Sequence, residues 1–228
     1  MDKVIFVGVK RDYHKIQTAI NNAKNNSIIV VDPGVYKENV IVNKLVNLRA
    51  NTNNPENGDI VIDGGKDIPV VFDYTPDEEE VVYFEGFQLV RREGSCQKAC
   101  LISNSNFNLS IVFNKNRILA NASQYALSIS RGVCINKVTI KHCFLQRGEA
   151  HIGRFDYKNT NHLSIIKTEL DTSTLFKFCK GKPDKLDIVE SPKEGYGPKY
   201  GEYYMEIPSY TVRSSILSKI KNFLSSKI

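Results

Sequence analysis

Residues 81–170 repeat themselves, and this constrains the fold of the chain more than any other feature. Four segments align: Val82-Tyr-Phe84-Glu-Gly-Phe-Gln-Leu89, Ile111-Val-Phe113-Asn-Lys-Asn-Arg-Ile118, Val138-Thr-Ile140-Lys-His-Cys-Phe-Leu145 and Leu163-Ser-Ile165-Ile-Lys-Thr-Glu-Leu170. Each has an apolar residue, a second two positions on, and a third five positions after that. The middle residues Phe84, Phe113, Ile140 and Ile165 are 29, 27 and 25 residues apart. A period in the twenties marks a solenoid, in which one coil cannot bury its own apolar face but a stack can. Alternation within each segment is strand-like, and the gap before the third apolar residue fits a tight corner followed by a second strand. The expectation is an all-β parallel β-helix, with Phe84, Phe113, Ile140 and Ile165 piled in one column.

Composition agrees with a folded chain and narrows its chemistry little. At 228 residues with 25% charged side chains the sequence is ordinary for one sizeable domain. The net charge is +6. Half of that excess falls in residues 180–228, a mild bias that disfavours a nucleic-acid partner. Five cysteines (Cys96, Cys100, Cys134, Cys143, Cys179) form no C-x-x-C pair and no His-Cys cluster, so they read as reduced thiols. No metal or cofactor site is expected. The apolar run Val4–Val9 is too brief for a signal peptide and no run approaches membrane length, which points to cytoplasmic synthesis, with later packaging in a virion left open.

At the start, Val4–Val9 reads as a strand, and Asp12 is placed to cap a short helix with Ile16, Ala19, Ile20 and Ala23 on one side. Such a helix would cover the open end of a solenoid, where apolar interior and strand edges are exposed. Two stretches, Tyr13-His-Lys-Ile16-Gln17-Thr-Ala19-Ile20 and Ile29-Val-Val-Asp-Pro33-Gly34-Val35-Tyr36-Lys37-Glu38-Asn39-Val40, resemble the opening of pectin methylesterases and other pectate-lyase-like right-handed parallel β-helix proteins. Asp59-Ile-Val-Ile-Asp63-Gly64-Gly65 fits the continuation, so the resemblance spans about residues 4–65. It implies a right-handed β-helix with an N-terminal capping helix. It also implies where an esterase would keep its site: two Asp and an Arg on Asp-Thr-Leu-Tyr and Asp-Phe-Ile-Phe-Gly segments, after a Gln-Ala approach. Gln97-Lys-Ala99 is similar to that approach, but the following Leu119–Leu127 has no carboxylate and neither acidic motif occurs. Ester hydrolysis by that route needs a carboxylate nucleophile and a second carboxyl as acid and base. The chain reads as the scaffold without that site.

Only one cluster has titratable variety. Glu149, His151, Arg154 and Asp156 are the candidate catalytic residues, set against the simpler reading of a surface strand with paired charges. His142 and His162 are read as structural residues at corners, and the acidic run Asp73–Glu80 as a solvated loop. The rung pattern is expected to stop after Leu175, dividing the chain into a β-helix domain (1–179) and an arm with a closing helix (180–228). Five of the eleven tyrosines fall in that arm: Tyr196, Tyr200, Tyr203, Tyr204 and Tyr210. An amphipathic C-terminal helix follows, with Ile216, Ile220, Phe223 and Leu224 on one face. Aromatic arms seldom stay free in water, so these residues are the candidate partner contacts, favouring a homo-oligomer or larger assembly over a membrane. The first functional expectation is a non-enzymatic structural or attachment component, such as part of a virus or phage particle. The alternatives are a polysaccharide-active enzyme of the pectin esterase or lyase kind, and an intracellular carbohydrate- or protein-binding module.

Overall fold

The computed structural model describes residues 3–53, 59–90, 98–119, 125–130, 133–146, 153–155, 160–171, 177–178 and 185–189. In chain order its elements are β1 (Val4–Val7), α1 (Ile16–Asn22), β2 (Ser27–Val31), β3 (Gly34–Tyr36), β4 (Val40–Val42), β5 (Val46–Ala50), β6 (Ile60–Asp63) and β7 (Val70–Asp73). There follow β8 (Glu80–Glu85), β9 (Gln88–Val90), β10 (Lys98–Asn104), β11 (Leu109–Asn114), β12 (Arg117–Leu119), β13 (Tyr125–Ile129) and β14 (Ile135–Lys141). The last are β15 (Phe144–Gln146), β16 (Gly153–Phe155), β17 (Thr160–Ile166), β18 (Glu169–Asp171), β19 (Lys177–Phe178) and β20 (Lys185–Val189).

From β2 onward the strands are dealt in strict rotation to three parallel sheets. Sheet A runs β1-β2-β5-β8-β11-β14-β17-β20, sheet B runs β3-β6-β9-β12-β15-β18, and sheet C runs β4-β7-β10-β13-β16-β19. The result is a right-handed parallel β-helix, as expected from the repeat. The expected column exists in register: Phe84 pairs with Phe113, Phe113 with Ile140, and Ile140 with Ile165. It extends back through Leu48, Ile29 and Ile5 and forward to Ile188. A second column in sheet B holds Tyr36, Ile62, Leu89, Ile118, Leu145 and Leu170. Inside, Phe72 meets Phe84 and Phe113 edge-on at 5.9 and 5.5 Å, and Phe84 stacks on Phe87 at 4.6 Å. Each such aromatic pair adds roughly 0.5–1.5 kcal/mol beyond its buried area.

The capping helix is present, but Asp12 does not cap it. The residue before α1 is Lys15, which makes no side-chain capping bond. Glu38, on the first coil, accepts the Ile16 and Gln17 amides at 2.9 and 3.0 Å. A seven-residue helix is not stable alone. It is held by this carboxylate and by burial of Ile16, Ala19 and Ile20. The Gln17 amide also pairs with edge strand β4, accepting from the Ile41 N–H at 2.6 Å and donating to the Ile41 carbonyl at 3.2 Å. One side chain thus stands in for the missing neighbour of an edge strand.

At the other end the coils outlast the sequence expectation. Strand β20 pairs with β17 over five residues from His162↔Lys185 to Ile166↔Val189, although the rung pattern was expected to stop after Leu175. Leu186 and Ile188 follow Leu163 and Ile165 by 23 residues, but the pattern is hidden because the third position, five residues after Ile188, is Lys193 and not apolar. The expected closing helix and aromatic arm lie outside the described residues.

Candidate functional site

Two surfaces could carry function, and the first is the outward face of sheet C. Ala99, from the segment similar to the esterase approach, lies in β10, and the stretch after it enters β13 beside it. Along each strand Val40, Val70, Cys100 and Leu127 point into the core, which leaves the alternate residues outward. That outward row is Ile41, Val71, Leu101 and Ser128 in register, and by backbone register it continues to Arg154 and Lys177. No carboxylate stands in this row among the described residues. Leu101 and Ser128 are both buried there. Of the sequence candidates, only Arg154 is described, and only by its place in β16. Glu149, His151 and Asp156 lie outside the described residues, as do Tyr196, Tyr200, Tyr203, Tyr204, Tyr210, Ile216, Ile220, Phe223 and Leu224.

The second surface is the corner where sheet A turns into sheet B. Gly86, Lys115, His142 and Lys167 occupy equivalent positions in successive coils, and all four have left-handed backbone, at φ 84°, 55°, 51° and 45°. For a residue with a Cβ this conformation costs about 1–2 kcal/mol. The next residue in each coil turns inward, and three of them bond the column residue one coil earlier. Asn116 Nδ2 donates to the Phe84 carbonyl at 2.8 Å, Cys143 Sγ to the Phe113 carbonyl at 3.6 Å, and Thr168 Oγ1 to the Ile140 carbonyl at 3.2 Å. Asn116 Oδ1 also accepts the Phe87 amide at 2.9 Å. These bonds hold the corner in shape.

An open groove of about 240 Å3 follows this corner, lined by Lys115, Asn116, Arg117, His142, Phe144 and Lys167 with the edge of Cys143. The Arg117 guanidinium lies over the Phe144 ring at 4.7 Å. Burial pushes the Cys143 thiol up to about 12, so it stays protonated and is no nucleophile. Two lysines, an arginine and a histidine give the groove a basic lining. Among the described residues no group of three His, Cys, Asp or Glu side chains could hold a metal ion.

His142 does sit at a corner, as expected, but exposed and beside the groove. His162 lies within β17 instead, with Nε2 2.7 Å from Asp187 Oδ2. The sequence reading passed over Lys115, Arg117 and Lys167. Their signal was available: each lysine falls two residues after a column position, where Gly86 marks the turn.

No protein-family model matches the sequence, and no curated protein matches it. Solved structures do. A pectin methylesterase from Aspergillus niger, in deglycosylated form, superposes with a TM-score of 0.57 at 10% identity, over 86% of this chain and 68% of that one. A second form of that enzyme aligns at 12% identity with a TM-score of 0.36, too low to carry an argument. The chain therefore shares the pectin-methylesterase type of β-helix, and at this identity the likeness concerns fold alone.

Proposed function

We propose that this chain is a non-catalytic β-helix protein, a structural or attachment component such as a virus or phage particle carries, assembling with further copies through residues 180–228. The observation that carries the reading is that neither acidic esterase motif occurs in the sequence, and the sheet C row of Ile41, Val71, Leu101 and Ser128 beside Ala99 has no carboxylate. Stacked coils with a continuous core supply the rigidity such a component needs. The aromatic and apolar residues between Tyr196 and Leu224 supply the contact surface.

Two measurements test it. The purified chain is incubated with methyl-esterified pectin and with polygalacturonate, and methanol and unsaturated products are followed. No release is expected, whereas release abolished by His151→Ala or Asp156→Asn would establish the polysaccharide-active alternative. Mass is then measured by light scattering for the full chain and for an Ile220→Asp, Phe223→Asp variant. An assembly that the double substitution reduces to monomers is expected, and a monomeric wild type would overturn the assembly reading.

A further inference from the structure

The basic corner has three properties that shape alone does not require. Lys115, His142 and Lys167 follow one another coil by coil, so their backbones are spaced about 4.8 Å apart along the helix axis. All three hold left-handed backbone where glycine is the residue of least strain, and Gly86 occupies the same corner one coil earlier. Two lysines and a histidine thus stand where glycine would carry less backbone strain. The amides around the groove are already spent: Lys115 donates to the Lys141 carbonyl at 3.1 Å, His142 to Ile166 at 2.9 Å and Phe144 to Asn116 at 2.8 Å. A ligand in this groove would be met by side-chain charge and not by backbone. Two acidic residues flank the corner: Glu85 on the preceding coil, which accepts from Asn114 at 3.0 Å, and Glu169, in register with Phe144 on the following coil.

We propose that this corner binds the sulfate esters of a linear sulfated glycan. A planar carboxylate is best matched by a guanidinium fork, and Arg117, the one guanidinium lining the groove, is stacked on Phe144. Lysine and histidine act as point donors, which suits a tetrahedral oxyanion whose oxygens reach cations on neighbouring coils. A single nucleic-acid strand is ordinarily held by a basic groove together with aromatic faces open to its bases. Here Phe144, the aromatic ring of the groove, is covered by Arg117. A sulfated sugar chain needs no such platform and brings charges at intervals comparable with the coil spacing. The site lies on a different face from the sheet C row, so it stands or falls separately from the carboxylate argument above.

The test titrates the full chain with a heparin-derived hexasaccharide across a range of salt. The variant Lys115→Asn, His142→Asn, Lys167→Asn replaces the three corner side chains with a residue that tolerates left-handed backbone. A control variant, Lys10→Gln, Lys24→Gln, Lys37→Gln, removes exposed charge elsewhere. The wild type is expected to bind saturably, and the corner variant about tenfold more weakly, with a salt dependence shallower by about two counterions. The control should stay within about twofold, because its lost charges lie outside the contact. Equal losses in the two variants would mean that net charge does the binding, and would overturn the proposal. So would polygalacturonate binding as tightly as heparin, which would remove the sulfate assignment, or poly(dT) competing equally at matched charge. Melting temperatures of all three proteins confirm that the comparison is between folded chains.

Discussion

The corner between sheets A and B and the connections that close the rest of each coil behave differently. The A–B corner is two residues long in five of six coils, Asp32-Pro33, Gly86-Phe87, Lys115-Asn116, His142-Cys143 and Lys167-Thr168; the exception is 51–59, between β5 and β6. From sheet B to sheet C the connections range from three residues, Lys37–Asn39, to seven, 91–97. From Gly86-Phe87 onward the short corner is fixed because its second residue is locked inside the stack, as when Asn116 bonds both the Phe84 carbonyl and the Phe87 amide. Loop length itself costs little, about 0.6 kcal/mol per doubling. Length is conserved along the stack where buried polar groups must meet, and drifts where they need not.

The most severe way to break that comparison is to lengthen each kind of connection by the same amount. One glycine inserted between Gly86 and Phe87 shifts β9 by a residue, turning Leu89 outward and Gln88 into the core. We expect no cooperative thermal transition from that variant, since the error approaches the whole folding free energy of about 5–15 kcal/mol. One glycine between Glu78 and Glu79, both exposed in the connection from β7 to β8, should cost under about 1 kcal/mol in a urea melt. Similar losses in the two would refute the distinction.

A smaller effect separates the inward corner residues from one another. Asn116→Ala leaves the Phe87 N–H and the Phe84 carbonyl buried without partners, a loss of about 3 kcal/mol. Cys143→Ala removes a weak thiol donor and a small apolar volume, and should cost about 1 kcal/mol. Urea denaturation of both variants reads the difference, and reversal of the order would show that packing, not hydrogen bonding, holds the corner.

This contrast also explains what was legible in the sequence. The five-residue offset from Phe84 to Leu89, Phe113 to Ile118, Ile140 to Leu145 and Ile165 to Leu170 spans the fixed corner, so it survives as a pattern. Sheet C has no such pattern, because its strands sit between connections of varying length. Its inward residues, Val42, Phe72, Ile102 and Ile129, therefore keep no constant distance from the columns before them. The cap of α1 escaped because Glu38 lies more than twenty residues from the helix that it closes. The basic corner escaped for a different reason. Asn116, Cys143 and Thr168 do one job with three chemistries, so no residue type marks the row, and its lysines pass for ordinary surface charge until the coils are stacked.

The smallest expected effect bears on the left-handed residues themselves. Gly86→Ala places a Cβ on backbone at φ 84°, a strain partly offset by the lower entropy of the unfolded chain, and should lose about 0.5 kcal/mol. Lys115→Gly relieves the same strain one coil later, but the freed chain gains entropy when unfolded, about 0.5–1 kcal/mol against folding. The two terms nearly cancel, so we expect a change within about 0.5 kcal/mol of zero. A lysine there is then close to neutral for folding, and stability gives no reason to hold a row of cations on that corner. A clear loss on Lys115→Gly, measured by urea melts at high salt to suppress charge effects, would instead give the lysine a structural task in the coil.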